Sequence, residues 1–186
     1  MIATVHDTRA LALVLALALA SGALSAVAPS ITAAQARSGN TVAGGRSLLQ
    51  SRELWATVDV CNPKDQPNTI GIRGSMPGDG HGKDAMYMRF QLQYLEAKGN
   101  VWVNLHDGDS GFITIGAAKI GRQGGWSGQV TPVAGKPAFT IRGLVTFQWR
   151  HGARILYEAT RTTSAAHKNV ADADPAGYSA AECAIG

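Results

Sequence analysis

Little in this 186-residue sequence marks a site of chemistry. There is no basic cluster: 17 Lys and Arg stand singly along the chain against 13 Asp and Glu, for a net charge of +4. Nucleic-acid binders group their basic residues and interleave them with aromatics, so no nucleic-acid partner is expected. Cysteine is scarce, with Cys61 and Cys183 alone. Two cysteines without histidine at ligand spacing make a poor zinc site. His81, His106, His151 and His167 show no metal spacing and all fall in predicted turns or loops. No metal and no cofactor is therefore expected.

Catalytic motifs are equally thin. Gly108-Asp109-Ser110-Gly111 matches the tetrapeptide around the nucleophile of chymotrypsin-like proteases. That chemistry needs a serine activated by a histidine that an acid orients. His81 and Asp84 precede Ser110, but no Gly-Pro follows it and no Ala-Ala-His-Cys-like segment precedes it. The tetrapeptide reads as a polar turn between strands; a small secreted hydrolase using Ser110 is the alternative. Gly78 to Asp84 has too short a glycine spacing for a phosphate loop, and Asp84 stands where Ser or Thr would hold magnesium. Asp79 with Asp84, and Asp107 with Asp109, fall short of the six to eight oxygens calcium requires and read as solvated turn carboxylates. No catalytic residue is assigned.

What the chain does have begins at its N-terminus. Asp7 and Arg9 are the only charged residues in the first 36, and Ala10 to Ala28 is mostly Leu, Ala and Val. An apolar core of this kind followed by small residues describes a secretory signal. Ala34-Gln35-Ala36 is the preferred cleavage signal, giving a signal segment over 1–36. With no membrane span expected after cleavage, the reading is export to the cell envelope or beyond. In that setting Cys61 and Cys183 are expected to pair as a structural disulfide. Residues 37–52 are rich in Ser, Gly, Ala and Arg without periodicity, and read as a flexible leader.

From residue 53 onward the chain is a series of short β-patterned runs. The clearest is Phe139 to Thr163. Ile141, Gly143, Val145, Phe147 and Trp149 share one parity; Thr140, Arg142, Thr146, Gln148 and Arg150 share the other. A period of two sends the first set to a core and the second to water. His151-Gly152-Ala153 then links to a second β-rich run, a hairpin. Further strands are expected over 54–61, 69–76, 85–96, 101–105, 112–116 and 126–133, with loops at Pro77–Asp84 and His106–Gly111. In the first of these, Leu54, Ala56, Val58 and Val60 share a face that excludes Cys61. Either a bulge reverses the parity there or Cys61 ties the sheet margin. Eight or nine short strands with turns between them, and no helix, define an all-β sandwich or barrel.

The long strands Met86–Glu96 and Ile141–Arg150, with Asp174-Pro175-Ala176-Gly177-Tyr178, resemble immunoglobulin-like and fibronectin-like sandwiches. The pentapeptide is similar to a tyrosine corner, in which the Tyr hydroxyl bonds nearby backbone. The resemblance implies a single Ig-like antiparallel sandwich over 53–186 and carries no active site. The expected function is non-catalytic: binding or structural, toward an unidentified extracellular or envelope ligand. Tyr87, Trp102 and Trp126 are the candidate ligand surface, because exposed aromatics favour contact.

Overall fold

A computed structural model describes residues 44–186. The proposed signal segment lies outside the described residues. Eight strands follow in order: β1 (Trp55–Cys61), β2 (Thr69–Met76), β3 (Ala85–Glu96), β4 (Val101–Ala117), β5 (Arg122–Gln129), β6 (Phe139–His151), β7 (Arg154–Thr162) and β8 (Cys183–Ile185). They form two antiparallel sheets, β1-β2-β5 and β4-β3-β6-β7, with β8 sharing the β7 edge of β6. The fold is an all-β sandwich. No helix among the described residues is long and apolar enough to cross a membrane.

The core lies between the sheets, and the parity pattern built it. β2 contributes Ile70, Ile72 and Met76; β3 contributes Met86, Met88, Phe90 and Leu92; β6 contributes Ile141, Val145, Phe147 and Trp149, all essentially inaccessible. Each large side chain so buried stabilises the fold by about 1.5–3 kcal/mol relative to exposure. Gly143 sits among the β6 core positions because the sheets approach closely there: a Cβ would lie 2.8 Å from Ile72 Cδ1.

The structure chooses between the two readings of Cys61. The β1–β2 register shifts between Val58 and Val60. Val58 lies opposite Ile72 and Cys61 opposite Ile70, so a bulge at Asp59 returns Cys61 to the face that Val58 occupies. Cys61 then bonds Cys183, with Cα atoms 5.5 Å apart. The chain around 174–181 runs along the β1 edge: Val58 and Ala180 exchange backbone hydrogen bonds of 2.9 and 3.1 Å, and Thr57 Oγ1 donates to Ala180 O at 3.1 Å. One side of the sandwich is thereby stitched closed.

Three expectations change. Residues 44–49 are helical, within the stretch read as a flexible leader. Leu49 packs against the core and Arg161 Nη2 donates to its carbonyl at 2.6 Å, so contact with β7 orders a segment that has no pattern of its own. His106 to Gly111 is not a loop but the middle of β4, which runs unbroken from Val101 to Ala117. Tyr178 packs at the core margin and its backbone N–H donates to Pro175 O, but no hydrogen bond of its hydroxyl occurs among the described residues.

Candidate functional site

At one end of the sandwich, the chain between β5 and β6 crosses from one sheet to the other. Beneath it lies a groove of about 1170 Å³ with a largely apolar lining that includes Leu92, Leu105, Trp126, Val130, Val133 and Phe139. Trp126 lies opposite Ile72 on the inner face of β5, half-buried against the core. Glu96, His106, Asp107 and Lys136 supply charge and polarity around it. The disulfide closes the same end from the far edge. Cys61 is opposite Ile70, which is opposite Gly128 of the groove; Cys183 is opposite Ile141, which is opposite Tyr94 of the groove.

Bulges in β4 shape one groove wall. Against β3, the register jumps from Gln91–Asp109 to Gln93–Asn104. The extra residues fall outside the ladder, and side chains replace the missing bonds. Gln91 Nε2 donates to Leu105 O at 3.0 Å and Gly108 O at 3.3 Å, while Phe90 N–H donates to Ser110 Oγ at 2.9 Å. Ser110 Oγ in turn donates to Gly111 O at 2.7 Å. That hydroxyl serves the backbone, and no histidine bonds it among the described residues. Ser164 Oγ does meet His167 Nε2, at 2.8 Å. His167 stacks on Trp55 with ring centroids 4.4 Å apart, and burial pulls its pKa down. No carboxylate among the described residues bonds it.

The three aromatics proposed from sequence do not share a surface. Trp126 faces inward, whereas Tyr87 and Trp102 lie on the outer face of the large sheet. There, Arg150 covers the Tyr87 ring at 4.2 Å and Phe112 at 4.7 Å, and Arg142 covers Trp102 at 4.1 Å. Such cation–π stacking occupies one face of each ring. Polar bonds knit the same face. Arg142 Nε donates to Gln93 Oε1 at 2.9 Å, Arg150 Nε to Gln148 Oε1 at 2.7 Å, and Gln148 Nε2 to Glu158. Gln148 is 3% exposed, so part of the β6 face expected in water is a packed polar layer. Burial lowers the pKa of Arg142. Arg89 makes a forked pair with Asp109, and its hydrogen bonding pulls the Asp109 pKa down.

The loop between β2 and β3 departs furthest from expectation. Asp79 and Asp84 are not solvated; their side chains are 4% and 10% exposed. His81 approaches Asp79 at 3.5 Å, and His151, at the end of β6, bonds Asp84 at 2.5 Å. No spacing in the sequence could have joined His151 to Asp84, 67 residues earlier. The readable signal was the density of Asp, His and Gly over residues 78–84.

No protein-family model matches this chain. No curated protein matches it either. Among solved structures, it is similar to the Pseudomonas fluorescens alkylpurine DNA glycosylase AlkC bound to DNA containing an abasic site analog. The likeness is 13% identity over 67% of this chain and 34% of that one, with a TM-score of 0.29. At that level, the likeness supports no conclusion about function.

Proposed function

We propose that this protein is an exported, non-catalytic β-sandwich module of the Ig-like kind that binds an extracellular or cell-envelope ligand, taking an apolar part of it into the Trp126 groove. The observation that carries this reading is the groove itself. Ligand sites are concave, mostly apolar and fringed by a few polar groups, and this one combines Trp126, Leu105 and Phe139 with Lys136 and Asp107. Its walls are braced on both sides. Gln91 braces the β4 bulge on one side, and the Cys61–Cys183 bridge clamps the sheets on the other. The apolar N-terminal run and the disulfide both fit an oxidising compartment. The hydroxyl of Ser110, spent on backbone bonds, favours binding over hydrolysis.

Anilinonaphthalene sulfonate, an apolar fluorophore with an anionic group, tests the groove in the folded protein. Saturable fluorescence enhancement is expected, with affinity falling about tenfold in Trp126→Ala through loss of apolar contact. Tyr87→Ala should bind as the native protein does. Equal affinity in Trp126→Ala, or no saturable binding at all, refutes the groove as the site.

A further inference from the structure

The end of the sandwich opposite the groove carries a second constellation. Asp79 and Asp84 stand there side by side, nine-tenths buried or more. Among the described residues neither pairs with Lys or Arg; their ionic partners are His81 and His151. Asp79 Oδ1 accepts the backbone N–H of His81 at 2.7 Å. Asp79 Oδ2 is buried with no hydrogen-bond partner among the described residues. A buried carboxylate oxygen without a donor is costly, and a second carboxylate beside it compounds the cost. What the pair lacks is a permanently charged partner.

We propose that Asp79, His81 and Asp84 bind a divalent transition-metal ion of the zinc class, with His151 as the positioning residue that holds Asp84. Each of the three offers a donor atom within 4.8 Å of the other two. Tetrahedral zinc, with bonds of about 2.0–2.1 Å, needs donors about 3.4 Å apart. His81 Nδ1 already stands 3.5 Å from Asp79 Oδ1, and the exposed His81 side chain is the donor with room to adjust. The donor chemistry sets the class of ion. Calcium and magnesium take oxygen ligands, whereas a mixed set of imidazole and carboxylate suits zinc and its first-row neighbours. Three protein donors leave a coordination position for water or a ligand atom.

The carboxylates are held in place independently of any ion. The N–H groups of Asp79 and Gly80 donate to Ala118 O at 2.9 and 3.2 Å, and Ala118 N–H donates to Asp84 O at 2.8 Å. The buried Trp149 Nε1–H fixes the start of the loop by donating to Pro77 O at 2.9 Å. Gly78 packs so closely that a Cβ would stand 2.6 Å from the Ile120 carbonyl carbon. His151 Nδ1, 2.5 Å from Asp84 Oδ1, orients that carboxylate as an outer-shell partner does. None of these four residues lines the groove, so the two sites stand or fall separately.

Zinc and cobalt titrations of chelator-treated full-length protein test the proposal. One equivalent of zinc should bind and raise the melting temperature, and cobalt should give the visible absorption of a four-coordinate ion. Asp79→Asn should weaken binding by at least about 100-fold and His151→Gln by about tenfold, the scale of outer-shell losses. Asp79→Asn removes a buried charge, so the metal-free variant should melt no lower than the native protein. Should it nevertheless fail to fold, His81→Ala at the exposed loop tip decides the matter, with a loss of at least about tenfold. Sub-stoichiometric binding, native affinity in the folded Asp79 variant or in His81→Ala, or a preference for calcium overturns the proposal.

Discussion

Replacing Cys61 and Cys183 together by alanine should lower the stability of the domain by about 5 kcal/mol. The bridge spans 122 residues of sequence. In the chain-entropy picture, closing a loop of that length removes about 16 cal/mol/K from the unfolded chain, or about 5 kcal/mol near room temperature. The structure adds little to this figure, because the hydrogen bonds of Thr57, Val58 and Thr163 to the C-terminal segment survive the substitution. The effect therefore resides in the unfolded state, and urea denaturation reads it directly. With a slope of about 2 kcal/mol/M, the midpoint should fall by about 2.5 M. The slope itself should rise, since an uncrosslinked unfolded chain exposes more surface. A midpoint shift below about 1 M with an unchanged slope would refute the reasoning. The same variant should bind the apolar fluorophore less tightly where it remains folded, because Cys61 and Cys183 brace the groove end of the two sheets.

Trp149→Phe should cost about 3 kcal/mol, from a cavity and from a Pro77 carbonyl left buried without its donor. Hydrogen exchange should also accelerate at Asp79 and Gly80, whose loop loses its anchor; unchanged exchange there would separate the indole from the loop. Arg89→Gln should cost about 0.5–1 kcal/mol at neutral pH, the range of a well-formed surface pair. Arg89 depresses the Asp109 pKa below its ordinary 3.8, so this contribution is present above that value and disappears as pH falls through the folded pKa. Denaturation at neutral and strongly acidic pH should show the native–variant difference shrinking; a difference that persists in acid points to packing instead.

The alternation in Phe139–Thr163 established the hairpin of β6 and β7, and the density of turns established an all-β chain. Both are local properties: a period of two follows from strand geometry, whatever the strand pairs with. The pairing of Cys61 with Cys183 was equally legible, because two cysteines have only one way to join. Other features that depend on register or on distance across the fold awaited the tertiary structure. Parity in β1 offered a bulge as one of two readings but could not choose it or place it at Asp59, since an inserted residue is visible only against its partner strand. The polar run His106–Gly111 looked like a turn because its missing ladder bonds come from Gln91 and Ser110 side chains, which no β-pattern encodes. Trp126 was expected at an exposed surface and proved to face the core, because β5 takes its register from β2. Asp79 and Asp84 read as solvated because turns usually are. The fold ties their loop to Ala118 and Trp149 by hydrogen bonds and brings His151 from the far end of β6, a meeting that only the tertiary structure decides.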